Sequence, residues 1–171
     1  MPVREIISAE RIAGRVAELG REIDQRLPRG PLSVVGVLRG AFVFMADLVR
    51  AIPREMTCDF LGVRSYGDAT VSSGVVEITS DLAAPIAGRH VLLVEDIVDT
   101  GLTMHYLLEL LRARGPASLA TCALLRKPAA TPQPPPLDFV GFEVPDAFVV
   151  GYGLDGAQLH RNLPFVGVLE R

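Results

Sequence analysis

The middle of the chain carries an aliphatic run that ends in two adjacent carboxylates. Residues 91–94, Val-Leu-Leu-Val, have the composition of a strand covered on both faces, and Glu95 and Asp96 follow directly. Residues 102–114 then have the apolar spacing of a helix. This order places the acids at the carboxyl end of a strand, where open α/β sheets bind their ligands. The segment therefore predicts an α/β fold with a binding site at that edge of the sheet.

The turn between this strand and this helix, residues 99–103, is small and rich in hydroxyl groups. Free backbone N–H groups at a helix start suit a phosphate, whereas neighbouring carboxylates suit the hydroxyls of a sugar diol or a divalent metal. The alternative is that Asp99 or Thr100 merely caps the helix, but a cap needs one oxygen and the segment supplies three carboxylates and two hydroxyls. The residues predicted to form a ribose-phosphate site are Glu95, Asp96, Asp99, Thr100, Gly101, Leu102 and Thr103.

This segment resembles the phosphoribosyl-pyrophosphate (PRPP) binding motif of type I phosphoribosyltransferases, in the form found in the hypoxanthine-guanine group. The resemblance implies an α/β fold with a mostly parallel twisted sheet flanked by helices, and a small hood formed by the terminal segments. It also implies a Mg2+-dependent enzyme of purine salvage. Such an enzyme converts PRPP and a 6-oxopurine base (hypoxanthine, guanine or xanthine) to a purine nucleoside monophosphate and pyrophosphate.

The remaining elements agree with such a fold. Apolar residues at helical spacing predict a helix over residues 8–27, with Ser8 as its cap, and a second helix over residues 42–52. Alternating strands and helices in the first two thirds of the chain predict a mostly parallel sheet. The further predicted strands are residues 32–37, 56–63, 75–79 and 118–125, and short strands from residue 139 onward.

Size and charge limit the classes of protein that are possible. With 171 residues, of which 49% are hydrophobic, we expect a single domain over residues 1–171. The net charge of −3 and the lack of a Lys/Arg block argue against a nucleic-acid partner. No apolar run reaches membrane-spanning length and no leader is recognisable, so we expect a soluble cytoplasmic protein. Cys58 and Cys122 lie in apolar contexts and are expected to be buried free thiols.

A second candidate turn follows the first core strand. Leu38, Arg39 and Gly40 would offer a cation and exposed N–H groups, which a pyrophosphate requires. The resemblance implies a cis peptide bond between Leu38 and Arg39, although family members commonly carry lysine in place of this arginine. It further implies that Asp155 helps to hold a second magnesium ion and that Arg161 contacts pyrophosphate. The predicted metal ligands are thus Glu95, Asp96 and Asp155.

The base site is predicted from the chemistry of a 6-oxopurine, which must share its N7 proton as N9 attacks. Asp99 occupies the family position of that proton partner, and Lys127 would donate to the O6 carbonyl. The resemblance implies that Phe148 stacks on the purine and that main-chain groups of Val149 pair with its edge. Discrimination at C2 would depend on the backbone near Val149 and Asp155.

A polar stretch over residues 64–74 is where the family places a lid that excludes water. Ser65 and Tyr66 are predicted to close over the pyrophosphate. Departures from the family pattern are the apolar Leu102 and the proline-rich segment near Pro134. The resemblance also suggests a homodimer or homotetramer, with the Arg39 turn near an interface.

Three other functions remain open from the sequence. A regulatory module of the same fold could sense PRPP or nucleotides, or could bind RNA, without needing Asp99, Lys127 and Arg161 together. A pyrimidine transferase predicts a residue other than aspartate at position 99. A receiver-like phosphoacceptor domain also places acid pairs at strand ends, but it leaves the residues from Lys127 to Arg161 unexplained.

Overall fold

The computed structural model describes residues 2–66, 75–128 and 134–170. Nine strands and three helices are formed in these ranges. They follow in the order β1 (Val3–Ile7), α1 (Ala9–Arg26), β2 (Leu32–Leu38), α2 (Phe42–Ala51), β3 (Met56–Tyr66), β4 (Val75–Ser80), β5 (His90–Val98), α3 (Leu102–Arg112), β6 (Ser118–Arg126), β7 (Phe139–Glu143), β8 (Val149–Val150) and β9 (Val166–Leu169).

A six-stranded sheet in the order β4-β3-β2-β5-β6-β7 forms the centre of the molecule. All neighbours are parallel except β3 and β4, which form an antiparallel pair at one edge. The prediction of a mostly parallel sheet flanked by helices is confirmed. Because parallel strands share one direction, the ends of β2, β5 and β6 bring their following turns to the same edge of the sheet.

The central strand β5 is covered on both faces, as its composition predicts. Leu92 and Val94 belong to the hydrophobic cluster that contains α1 and α2, whereas Val91 and Leu93 belong to the cluster that contains α3. All four side chains are at most 1% exposed. A strand whose successive side chains enter two different cores is fixed in register, since a shift by one residue would exchange its faces.

Helix α1 forms as the sequence predicts, because both its cap and its apolar face are present. The Ser8 hydroxyl accepts a hydrogen bond from the N–H of Arg11, which is the usual N-cap arrangement. Ile12, Val16 and Leu19 lie on one face and are buried against the sheet side of the molecule. The helix ends at Arg26, so the predicted boundary is correct within one residue.

A small second sheet, in the order β1-β9-β8, is built from both ends of the chain, and we call it the hood. Strand β9 pairs antiparallel with β1 and with β8. Val149, Val166 and Leu154 from this region join the same hydrophobic cluster as α1 and α2, so the hood packs on the main core. The expected hood is confirmed. Strand β1 was not predicted, because only Ile7 of its five residues is buried and it lacks a long apolar run.

Two expectations near β3 are wrong. Cys58 is exposed rather than buried, since β4 pairs only with residues 62–66 of β3 and leaves its first half as a sheet edge. Arg64, Ser65 and Tyr66 belong to β3 rather than to a loop, because their backbones pair with β4 despite their polar side chains. Among the described residues, no helix combines the length and apolarity needed to cross a membrane.

Candidate active site

The paired carboxylates lie at the end of β5, beneath the surface. Glu95 is 6% exposed, and one oxygen of Asp96 accepts a hydrogen bond from the N–H of Ile97 at 2.7 Å. Burial raises the pKa of both carboxyls, and repulsion from Asp96 raises the pKa of Glu95 further. The positive charge of Arg161 opposes the shift at Asp96. A buried glutamate beside a half-buried aspartate forms an environment that favours a bound cation.

The predicted phosphate turn lies at a helix start beside a small cavity. Gly101 adopts a left-handed conformation with φ 83° at the start of α3 and has no side chain to cap it, and the N–H of Leu102 donates to the Thr100 hydroxyl at 3.4 Å. The turn borders a cavity of about 100 Å3. The residues that line it are Glu95, Ile97, Val98, Asp99, Thr100, Gly101, Thr103 and Met104.

Pro135, in the segment between β6 and β7, packs against this turn. A Cβ atom at Gly101 would overlap the ring of Pro135, so the turn and the proline are in close contact. The loop is held in turn by Thr121 on β6, whose hydroxyl donates to the carbonyl of Pro136 at 2.8 Å and whose N–H donates to Asp138. The proline-rich segment near Pro134 thus contributes a buried proline at position 135.

The second turn, residues 38–40, contacts β5 near the carboxyl end of that strand. The peptide bond between Leu38 and Arg39 is cis, as the resemblance implies. Gly40 lies so close to the Asp96 carboxylate that a Cβ atom at position 40 would overlap it. On its other side the carbonyl of Gly40 approaches Gly153, which has φ 101°. Two glycines thus let this turn pack between Asp96 and the hood.

The predicted base residues surround a cavity of about 230 Å3. Lys127 Nζ is 3.1 Å from Asp99 Oδ2, so the proposed proton partner and the proposed carbonyl donor are neighbours. Phe148 is 59% exposed, so it is not an ordinary core aromatic. The residues that line this cavity are Asp96, Ile97, Asp99, Lys127, Phe148, Val149, Leu154 and Asp155.

Asp155 and Arg161 form an ion pair at the hood side of this cavity. Arg161 Nη2 is 2.7 Å from Asp155 Oδ1, and its Nη1 donates to the carbonyl of Gly153 at 2.7 Å. The other oxygen of Asp155 accepts from the N–H of Gln158 at 2.7 Å. Arg161 therefore braces the segment next to Gly40. Within the described ranges, no three His, Cys, Asp or Glu side chains converge to bind a metal ion by themselves.

The structure brings most of the predicted residues to one edge of the sheet. The backbones of Ser65 and Tyr66 lie at the end of β3, but their side chains are outside the described part of the molecule. Sequence reasoning missed the contributions of Gly153, Pro135 and Asp146. Asp146 could have been found, since it stands two residues before Phe148, whereas the two close packing contacts have no local signal.

The mostly parallel sheet, the hood, and the acid pair followed by a glycine turn agree with the resemblance of the sequence to the phosphoribosyltransferases. The family profile described as phosphoribosyl transferase domain matches residues 2–157. The chain belongs to this family and is a transferase enzyme.

Individual relatives narrow the assignment. A hypoxanthine-guanine phosphoribosyltransferase from Bacillus subtilis is 50% identical over 165 residues, covering 96% of this chain and 92% of the relative. A hypoxanthine phosphoribosyltransferase from Haemophilus influenzae is 48% identical over 170 residues, covering 96% and 95%. The crystal structure of a hypoxanthine-guanine phosphoribosyltransferase from Bacillus anthracis superposes with a TM-score of 0.92 at 38% identity, covering 99% of this chain and 100% of that one. Within the family, the chain belongs to the hypoxanthine-guanine phosphoribosyltransferases.

Proposed function

We propose that this enzyme transfers the phosphoribosyl group of PRPP to N9 of a 6-oxopurine, releasing a purine nucleoside 5'-monophosphate and pyrophosphate. Hypoxanthine and guanine are the proposed bases, and xanthine is a further candidate. The observation that carries the proposal is the Asp99–Lys127 pair, at 3.1 Å, in the wall of the cavity that Phe148 also lines. An acceptor for N7–H beside a donor for O6 matches the polar edge of a 6-oxopurine.

The PRPP half of the site would hold three groups of the substrate. The N–H groups of the turn over residues 99–103 would bind the 5'-phosphate, and Glu95 and Asp96 would accept hydrogen bonds from the ribose hydroxyls. Pyrophosphate would lie against Leu38, Arg39 and Gly40, with Arg161 on the hood side. The phosphate residues of this half are Asp99, Thr100, Gly101, Leu102 and Thr103, of which Leu102 contributes only its N–H group.

Mg2+ is the proposed cofactor, and the residues present fit it. Magnesium binds few protein carboxylates and completes its shell with phosphate oxygens and water, so a site without three converging ligands is suitable. Glu95 and Asp96 would serve one ion and Asp155 a second, since each carboxylate oxygen of Asp155 keeps a lone pair beyond its bond to Arg161 or Gln158. The bound metal would neutralise charge on the departing pyrophosphate.

On the base side, each residue has a separate task. Asp99 would accept the N7 proton as N9 attacks the anomeric carbon, and Lys127 would donate to O6. Phe148, which is 59% exposed before the base is present, would stack on the ring. Main-chain groups of Val149, with Asp155 nearby, would read the edge at C2. Adenine carries an amino group at C6 and would meet the Lys127 donor with another donor, so it should be rejected.

The same proposal includes a lid, the extent of the domain, the cellular location and the oligomeric state. Ser65 and Tyr66, at the end of β3, would close over pyrophosphate and exclude water, which competes with the base for the anomeric carbon. We further propose one domain over residues 1–171, a cytoplasmic location and a homodimer or homotetramer. The exposed Phe42, three residues after Arg39, is consistent with an interface near that turn.

The proposed function is tested by magnesium-dependent pyrophosphate release from PRPP with hypoxanthine, guanine, xanthine, adenine and uracil offered separately. Release with hypoxanthine and guanine, and none with adenine or uracil, is the expected result. No release with any base, despite PRPP binding, would favour a sensor of PRPP instead.

The role of Asp99 needs a variant that keeps its shape. Asp99→Asn should keep PRPP binding but lose turnover by about a hundredfold or more, because an amide is not a proton acceptor of useful basicity. Glu143→Gln, which removes an exposed carboxylate paired with Arg126 on a neighbouring strand, is the matched control and should retain full activity. Unimpaired turnover of Asp99→Asn would refute the assigned role.

A further inference from the structure

A second carboxylate contacts the ammonium group of Lys127. Asp146 Oδ1 is 3.4 Å from Lys127 Nζ, in addition to Asp99 Oδ2 at 3.1 Å. The two partners differ in position, because Asp99 lines the base cavity and Asp146 is absent from the described residues that line it. The Lys127 side chain is 13% exposed, so its charged end is held in one place between two acids.

The Asp146–Lys127 pair also connects two parts of the fold. Lys127 follows β6 of the central sheet, and its N–H donates to the carbonyl of Val98 at 3.0 Å, at the end of β5. Asp146 lies in the segment that enters the hood, two residues before Phe148. A tight turn holds that segment, since the N–H of Ala147 donates to the carbonyl of Pro145 at 2.8 Å. The pair therefore links the end of β6 to the segment that leads into the hood.

The chemistry of the lysine gives a second acid a role in fixing the direction of the ammonium group. An ammonium group has three donors and no acceptor, and it can point in many directions on its flexible stem. In the proposed reaction Asp99 accepts the N7 proton, so its hydrogen bond to Lys127 would change during each turnover. Asp146 takes no part in that exchange and gives Lys127 an anchor that is independent of the reaction.

We propose that Asp146 is a positioning residue, which holds the Lys127 donor toward the purine O6 and keeps the hood wall, with Phe148, at the correct distance from it. This proposal rests on the proposed function, since it needs a base in the cavity. The pair adds little to folding stability while water surrounds Asp146, which is 87% exposed. Binding of the base removes water from Lys127, and the attraction to Asp146 becomes stronger in the less polar surroundings.

Steady-state kinetics of Asp146→Asn test the proposal. We expect the KM for hypoxanthine to rise about threefold to tenfold, with kcat and the KM for PRPP unchanged. Guanine should show the same fold-change as hypoxanthine, because both bases carry the O6 carbonyl that Lys127 reads. The thermal midpoint of the free enzyme should stay within error. Asp146→Glu, which keeps a carboxylate on a longer arm, should recover part of the lost affinity for the base.

The control is again Glu143→Gln, which removes another exposed acid from an ion pair near the site, with Arg126. An unchanged KM for the base in Asp146→Asn, as in this control, would overturn the proposal. An equal rise in the KM for PRPP would also overturn it, and so would a lowered thermal midpoint. Either result points to a general structural role. Wild-type activity with hypoxanthine tests the proposed function separately, so the two ideas fail in different measurements.

Discussion

The two halves of the site are built in different ways. The PRPP half takes most of its residues from one stretch, residues 95–103, where a strand, a turn and a helix start follow one another. The base half takes Lys127 from the end of β6, and Phe148 and Asp155 from the hood. A contiguous strand-turn-helix segment determines its own local geometry. The base half has the correct geometry only when the hood is docked on the sheet.

Three contacts join the halves. Gly40 packs against Asp96 on one side and against Gly153 on the other. The hydroxyl of Tyr152 donates to Asp47 of α2, the helix that begins just after the Gly40 turn. The hood is thereby attached to the turn that is proposed to bind pyrophosphate. We therefore expect substitutions at these contacts to affect kinetics with both PRPP and the base. Substitutions of residues that line only the base cavity should affect kinetics with the base alone.

The largest effect is expected at Gly40, where the halves meet. Gly40→Ala would force the Asp96 carboxylate to move, because the added methyl group overlaps its oxygen. A displacement of about 1 Å at a substrate-binding group costs on the order of a hundredfold in rate, so kcat/KM should fall by that amount for PRPP and for the base. Steady-state kinetics with each substrate varied in turn measure the effect.

Gly14→Ala is the matched control for this substitution. Gly14 lies in α1 with nothing within 4 Å of an added Cβ atom. The alanine should leave kinetics unchanged and stabilise the helix by about 0.5–1 kcal/mol. Equal kinetic parameters for Gly40→Ala and wild type would show that the two halves do not depend on this contact.

A smaller effect, limited to the KM for the base, is expected at Phe148. Phe148→Ala removes the proposed stacking ring, so the KM for the base should rise about tenfold, while the KM for PRPP stays the same. Because the ring is 59% exposed, the free energy of unfolding should change by less than about 0.5 kcal/mol. Kinetics and chemical denaturation together check both parts. A parallel rise in the KM for PRPP would contradict the separation of the halves.

The smallest effect concerns the attachment of the hood through Tyr152. Burial and the hydrogen bond to Asp47 raise the pKa of the Tyr152 hydroxyl above its ordinary value of 10.0. The protonated form is thus favoured in the folded state, and its stabilisation is fully present below pH 10 and lost as the pH rises further. Tyr152→Phe should cost about 1–2 kcal/mol at pH 8.

Denaturation of both proteins between pH 8 and about pH 11 measures this dependence. The stability gap between wild type and Tyr152→Phe should narrow above pH 10, because only the wild type loses this contribution. The other two tyrosines are present in both proteins and cancel in the comparison. A gap that is constant over the whole range would show that the hydroxyl does not hold the hood through a protonated hydrogen bond.

Much of the architecture could be predicted because its signals are local. The aliphatic run of β5, the Ser8 cap and the apolar face of α1 each specify an element within a few residues. The failures lie where pairing overrides composition. Strand β1 is short, with two charged residues among its five, and the end of β3 is polar, and both form strands because β9 and β4 satisfy their backbone groups. Cys58 is exposed for the same kind of reason, since its partner strand ends too early to cover it.

The sequence by itself determined the family, the sheet, and the positions of the acid pair and of the glycine turn at one edge of that sheet, because these features depend on the order of residues in one segment and on a long motif. The roles of the individual site residues stay predictions. Only the tertiary structure decided which residues meet across segments: Gly40 with Asp96 and Gly153, Pro135 behind Gly101, and Asp146 at Lys127. Such contacts depend on how the hood and the segment around Pro135 pack on the sheet. Packing between distant segments has no signature in either segment alone.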